Sequence, residues 1–365
     1  FIVTGNGFCC FQPPERKNYN VISFIKEHPH FFAEYTPGMS ADRLVNLVCR
    51  RLLNEPQEIR ETRIFNPGKE GKPFDIDEYD LEAFRMDDWE SQKKFYPYFK
   101  NRGINLDTQR AFCGHFFLAS RHRTDGKLFT NLAFPLSLPA WPGQQIVGLE
   151  DRSRPNAEGK TAYKGMAAGS NATEGMWIGR LEQHRSDVGY TTPLSGAKDV
   201  YWFESAFDAM AFYQIEKKGN VAYADLGNAV FVSTGGTPSV RQFAGMLEQT
   251  PNANPHLCFD RDRAGQLYAV NFALQMNGRV FNSHTTQKDT LVVTNLTGKY
   301  GRHEMNVATF DFDAICKELG LDKQHIDYRP PSEGYKDWND QLLDKRMDES
   351  MEQDNTEEKQ TRFRR

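Results

Sequence analysis

Three short apolar runs in the C-terminal half, residues 200–203 (V-Y-W-F), 230–233 (V-F-V-S) and 257–259 (L-C-F), are each followed by a helix-length segment, 205–218, 238–248 and 264–277. Runs this short and this apolar read as strands covered on both faces. Alternated with helices of that length, they predict a parallel sheet with crossover helices. Acids stand just beyond the strand ends: Glu204 follows the first run, and Asp260 and Asp262 follow the third. In an open parallel sheet, functional groups gather at the carboxyl ends of the strands, so these three are expected on one edge. Asp208 lies one helical turn past Glu204. Asp337, in K-D-W-N-D, follows a further candidate strand at 326–329.

Taken singly, each acid has an ordinary reading as a helix cap, where negative charge is welcome. Four or five carboxylates converging in a partly dry cleft repel one another strongly and call for a cation. A donor set of oxygens, without His or Cys nearby, suits a hard divalent ion, Mg²⁺ or Mn²⁺, bound together with substrate phosphates. Phosphoryl transfer is the expected chemistry. Glu204, Asp260 and Asp262 are the candidate catalytic residues, and Asp208 and Asp337 join them as candidate metal ligands.

At 365 residues the chain exceeds one ordinary domain. The expected divisions are a region of short strands and helices at 1–54, a linker or helical connection at 55–95, a mixed subdomain at 96–197, the α/β domain at 198–345 and a polar tail at 346–365. Helical patterning is expected over 20–35, 41–53 and 80–117, the last interrupted at Pro97, and strands over 128–149. Within the first region Cys9 and Cys10 read as strand residues. The formal charge of −4 excludes a globally basic coat, so any polyanion site is regional. Between residues 85 and 129 there are nine Lys or Arg against five Asp or Glu, interleaved with aromatics. Basic groups for phosphates and rings for base stacking suit a single-stranded template, although most of those rings are expected in the core. The six cysteines form no C-x-x-C pair, so neither a disulfide framework nor zinc is expected, and a reducing cytoplasm is the simpler setting. No apolar stretch approaches the roughly 20 residues that span a bilayer. The chain opens at Phe1 with neither an initiator Met nor a signal-peptide pattern, which suggests a piece of a longer parent.

The segments V-Y-W-F-E-S-A-F-D at 200–208, S-T-G-G-T at 233–237 and H-L-C-F-D-R-D-R-A-G at 256–265 resemble the successive motifs of a TOPRIM domain. That fold is shared by topoisomerases, bacterial-type primases and some nucleases. The resemblance implies a Rossmann-like parallel sheet with flanking helices, with Glu204 as general base or metal partner and Asp260 and Asp262 as the metal-binding D-x-D pair. Upstream, R-G-I at 102–104, N-L-A-F-P-L at 131–136, I-V-G-L-E-D-R at 146–152 and A-Y-K-G at 162–165 are similar in order to the catalytic core of a bacterial-type primase. This implies a mixed α+β primase-type subdomain ahead of the sheet. Arg152, Arg154 and Lys164 would contact template or incoming nucleotide, with Arg102 and Asn171 beside them. Residues 1–25 follow the outline of the last part of a primase zinc ribbon, but Gln12-Pro13-Pro14 stand where its second Cys belongs, leaving a degenerate finger.

The leading expectation is a primase-like nucleotidyltransferase, a DNA-directed RNA polymerase of a plasmid, phage or mobile element. It would join nucleoside triphosphates on single-stranded DNA with Mg²⁺ or Mn²⁺, with a replicative helicase as a further expected partner and no membrane. The alternatives are a TOPRIM nuclease, which would use the same acids to deliver water, and a catalytically inactive nucleic-acid-binding protein of a mobile element. No P-loop accompanies the acids, which argues against the ATPase-coupled nuclease type.

Overall fold

Residues near the N-terminus form three antiparallel strands, β1 (Ile2–Thr4), β2 (Cys9–Gln12) and β3 (Lys17–Asn20), followed by helices α1 (Val21–Glu27) and α2 (Ala41–Leu52). Asn20 caps α1 through its side chain. The helix expected over 20–35 stops at Glu27, because the residue before a proline is pushed out of helical geometry and Pro29 opens a separate turn of 3₁₀ helix. Tyr19, Ile25, Leu44 and Val48 are buried. Cys9 and Cys10 lie in β2, and their side chains fall outside the described residues. The computed structural model describes residues 2–4, 9–12, 17–35, 39–52, 73–122, 128–143, 145–156, 161, 163–181, 185–186, 189–190, 193–218, 226–285, 290–295, 301–306, 309–323 and 325–347. The tail beyond residue 347 and residues 55–72 of the expected linker therefore lie outside them.

The chain divides into two compact units, Phe1–Arg63 and Ile64–Arg365. The second opens with β4 (Asp80–Ala83), α3 (Trp89–Lys100) and α4 (Leu106–Ala111). It continues through β5 (Phe117–His122), β6 (Leu128–Ser137), β7 (Ile146–Ser153) and β8 (Lys164–Met166). Strands β4 to β8 form an antiparallel meander in sequence order. Residues 80–83 are thus a strand instead of helix or connection, since their backbone pairs with β5. Helix α3 runs through Pro97, held on both sides of it by the buried Phe95, Tyr98 and Phe99.

Next come β9 (Trp177–Gly179), the short hairpin β10 (Arg185–Ser186) and β11 (Gly189–Tyr190), and then the predicted α/β alternation. Its elements are β12 (Asp199–Phe203), α5 (Ala206–Lys218), β13 (Ala229–Ser233), α6 (Val240–Gln249), β14 (Asn254–Leu257) and α7 (Arg263–Met276). A second meander, β15 (Phe281–Thr285), β16 (Thr290–Asn295) and β17 (Gly301–Asn306), leads to α8 (Phe312–Glu318), β18 (Asp327–Tyr328) and α9 (Trp338–Leu342). The central sheet has the order β18-β14-β12-β13-β9, parallel except for β9. The third strand begins and ends earlier than its apolar run suggested, at 254–257.

Successive side chains on β12 point to opposite faces. Val200 and Trp202 pack with residues of α6 and α7, and Tyr201 and Phe203 pack with α5 and residues of the first meander. Residues 206–214 of α5 are all buried, as befits a helix covered on all sides. The buried Gln214 ties this helix to the turn before α4: its amide donates to the Gly103 carbonyl, and its oxygen accepts from Asn105 N–H and the Thr108 hydroxyl. One core therefore crosses the boundary expected at 197/198. No helix among the described residues is long and apolar enough to cross a membrane.

Candidate active site

The carboxyl end of β12 delivers Glu204 beside its two parallel neighbours. Thr234 N–H donates to Phe203 O (3.1 Å) and Gly236 N–H to Glu204 O (2.8 Å), which seats the loop after β13 against the end of β12. Positive φ at Gly235 and Gly236 allows that tight turn, and buried Gln242 holds it by donating to the Thr234 carbonyl. On the other side Cys258 N–H donates to Trp202 O (2.9 Å), and Asp260 N–H donates to Glu204 Oε1 (3.3 Å). Glu204 and Asp260 therefore meet at one rim, as the strand pattern predicts.

Helix capping is divided among different residues than those two. Ser205 Oγ accepts from Asp208 N–H at the start of α5. Asp262 Oδ1 accepts from Ala264 N–H (2.9 Å) and Gly265 N–H (3.0 Å) at the start of α7. Asp337 Oδ1 accepts from Asp340 N–H (2.6 Å) at the start of α9. The capping reading thus holds for Asp262 and Asp337, each with one oxygen so used, whereas neither Glu204 nor Asp260 caps a helix.

Electrostatics marks the five acids as one group. Burial, then the Asp262 charge, pushes Glu204 up to about 8. Burial, then Glu204 with Asp208, Asp337 and Asp262 behind it, pushes Asp260 up to about 10. Asp208 is raised to about 7 by burial and Asp337. Lys336 supplies partial compensation, its Nζ 3.6 Å from Asp262 Oδ2. The segment bearing Lys336 is fixed by Arg261 N–H donating to Lys336 O (2.7 Å) and by Arg261 Nε donating to Pro331 O (2.7 Å). Asp208, expected as a metal ligand, has both oxygens engaged by protein donors: the Ser205 hydroxyl, and Asn339 N–H at 3.2 Å. Its visible work is to dock the start of α9.

Asn339 also reaches the other way. Its amide donates to Arg102 O (2.7 Å), and Arg102 donates to Asn339 Oδ1 (3.2 Å). Asn339 and Arg102 line a cleft of about 310 Å³ together with Arg152, Lys164, Lys345, Phe207 and one acid, Asp340. The Arg102 guanidinium also lies 5.0 Å from the Phe207 ring. Arg152 is buried and pairs with Glu150, yet its Nε has no partner, nor does Glu150 Oε2. Sequence reasoning missed Asn339, Lys345 and Glu150, because only the fold brings these distant positions to Arg102 and Arg152. Of the other candidates, Arg154 is exposed and is not part of the cleft lining. Asn171 spends its side chain on a turn: Oδ1 accepts from Thr173 and Glu174 N–H, and Nδ2 donates to Glu174.

The donor set at the rim consists of carboxylate oxygens, which suits a hard divalent ion. Among the described residues, no three His, Cys, Asp or Glu side chains already stand as a cage for one. Mg²⁺ sites of the kind that borrow substrate phosphates and waters need only one or two carboxylates from the protein, and Glu204 with Asp260 meets that requirement.

Residues 201–290 match a family described as Toprim-like. No curated protein matches the chain. Among solved structures, the primase fragment of the bacteriophage T7 primase-helicase protein is similar over 76% of this chain and 77% of its own, at 13% identity and a TM-score of 0.37.

Proposed function

We propose, with the Toprim-like segment at residues 201–290 as the premise, that this chain is a primase-type nucleotidyltransferase joining nucleotides on a single-stranded DNA template with Mg²⁺ or Mn²⁺. The observation that carries the proposal is the junction at Asn339, where one residue holds Asp208 in the carboxylate group and Arg102 in the wall of a cation-lined cleft. Anionic rim and cationic cleft adjoin, as a metal-bound nucleoside triphosphate would require.

Glu204 and Asp260 would hold the ion, with the uncapping oxygens of Asp262 and Asp337 beside them. When bound, the ion supplies charge stabilisation for the attacking hydroxyl and the pyrophosphate leaving group. The protein's own part lies in the cleft. Lys164 and Lys345 offer donors to phosphate oxygens, Arg152 stands in the same wall paired with Glu150, and Arg102 is kept in place by Asn339 and Phe207. Glu204 Oε1 is oriented by Asp260 N–H, which leaves Oε2 to accept the proton of an attacking hydroxyl. A replicative helicase, a cytoplasmic setting and a mobile-element origin belong to the same reading.

The test is incubation with single-stranded DNA, labelled nucleotides and Mg²⁺ or Mn²⁺, for wild type and for Asp260→Asn. Oligonucleotide synthesis by the wild type that the variant lacks supports the proposal. Metal-dependent strand scission would make the protein a nuclease instead. Identical, metal-independent retention of DNA by both would make it a binding protein and overturn the metal assignment.

A further inference from the structure

Helix α3 presents two large rings to solvent, Trp89 at 62% and Tyr96 at 57% exposure, while its Phe95, Tyr98 and Phe99 are buried. Each exposed ring has a lysine one turn on. Lys93 Nζ lies 5.5 Å from the Trp89 ring centroid, and Lys100 Nζ lies 5.8 Å from that of Tyr96. Positions 89, 93, 96 and 100 follow i, i+4, i+7, i+11 and share one helix face. The face therefore repeats a ring-plus-ammonium unit every seven residues, about 10.5 Å along the axis. The exposed ion pair of Lys93 with Glu90 (2.7 Å) competes only weakly for that ammonium. The same helix ends at the cleft, where Tyr98 from its last turn and Asn101 and Arg102 just past it form part of the lining.

We infer that this face of α3 binds single-stranded nucleic acid, with bases stacking on Trp89 and Tyr96 and phosphates meeting Lys93 and Lys100, so that the strand is led toward the cleft. The inference rests on the nucleotidyl-transfer reading of that cleft. A ring offers every base a stacking partner without regard to sequence, and ammonium groups track the backbone. A protein partner suits the face less well, because lysines separate the rings and lysine is depleted at the cores of protein interfaces. A duplex suits it less well because its bases already stack on one another.

The experiment measures fluorescence anisotropy of a labelled 20-nucleotide oligothymidylate at fixed salt with the full chain. Trp89→Ala combined with Tyr96→Ala is expected to weaken binding by about 10- to 100-fold. Trp89→Phe combined with Tyr96→Phe should stay within about threefold of wild type, since the rings remain. Both pairs lie on the surface, so thermal melting should not move. Unchanged affinity in the alanine pair overturns the inference and leaves a protein partner as the reading of this face. Equal losses in the alanine and phenylalanine pairs, or equal losses for duplex and single strand, also overturn it. If Asp260-dependent nucleotide joining persists while the alanine pair binds like wild type, only this inference fails. If joining shows no dependence on Asp260, the cleft reading fails whatever the anisotropy shows.

Discussion

Strands β12, β14 and β18 gather acids at both ends of the parallel sheet, with different compensation at each. At the amino-terminal end, His256 sits between two aspartates, Nε2 2.9 Å from Asp199 Oδ1 and Nδ1 2.8 Å from Asp327 Oδ2, with its ring stacked on Tyr201 at 4.3 Å. Burial lowers its affinity for a proton, but the hydrogen bonds and charges of Asp327 and Asp199 outweigh burial, so the net shift is upward. Asp327 moves down in return. Those two hydrogen bonds tie three strands together. At the carboxyl end, Glu204, Asp260, Asp262 and Asp337 share Lys336, Asp208 has its hydrogen bonds and the Arg102 charge to lower it, and Glu204, Asp208 and Asp260 are driven upward. A paired group stabilises the sheet, whereas a group left in mutual repulsion costs stability until something neutralises it.

The contrast predicts opposite responses to losing one member. The largest effect is expected for Asp260→Asn, which under the proposed function should lower nucleotide incorporation about 10³-fold, roughly 4 kcal/mol of transition-state stabilisation. Its thermal midpoint without metal should hold, because a carboxyl pushed up to about 10 is already neutral near pH 7 and Asn replaces it with a neutral side chain of similar shape. A large fall in melting temperature would make the carboxyl end structural and erase the contrast. Next in size, Mg²⁺ at about a hundred times its dissociation constant should add about 2.7 kcal/mol to wild-type stability, read by thermal melting, and little to Asp260→Asn. A β-carbon at Gly265 would lie 2.0 Å from the Asp260 carbonyl oxygen. Gly265→Ala should therefore cost about 1–3 kcal/mol and displace Asp260, so that metal stabilisation falls along with activity.

At the compensated end, His256→Ala should cost about 1–2 kcal/mol through two lost hydrogen bonds while leaving incorporation per folded molecule unchanged. The pH dependence is the smallest effect and the sharpest. A raised histidine contributes fully below its unfolded value of about 6.5 and loses that contribution as pH rises through the folded value. The depressed Asp327 contributes above about 3.9 and loses that contribution as pH falls through its folded value. The gap between wild type and His256→Ala, measured by chemical denaturation, should therefore be wider at pH 6 than at pH 8.5. A gap that widened with pH would show that His256 is not held as a cation.

Much of this arrangement was legible before folding. Two-sided apolar strands, each followed by a helix and two of them by acids, implied the parallel sheet and the meeting of Glu204 with Asp260. The sheet edge at 80–83 was not legible, because a four-residue half-exposed strand is defined by its partner β5 and not by its own pattern. Nor was the passage of α3 through Pro97, where buried neighbours outweigh a local breaker. The acids of D-x-D looked alike in sequence. Only the backbone around them separates Asp262, which caps α7, from Asp260, which caps nothing.

Residue type and order alone determined which strands would be buried and on which rim their acids would emerge, since side-chain alternation and parallel pairing follow from local geometry. The tertiary structure alone decided which carboxylates are occupied by helix ends, that Asn339 joins the acidic rim to the cationic cleft, and that Arg152 is held by Glu150. Those outcomes depend on groups far apart in the chain reaching hydrogen-bond distance, and no local pattern encodes a distance of that kind.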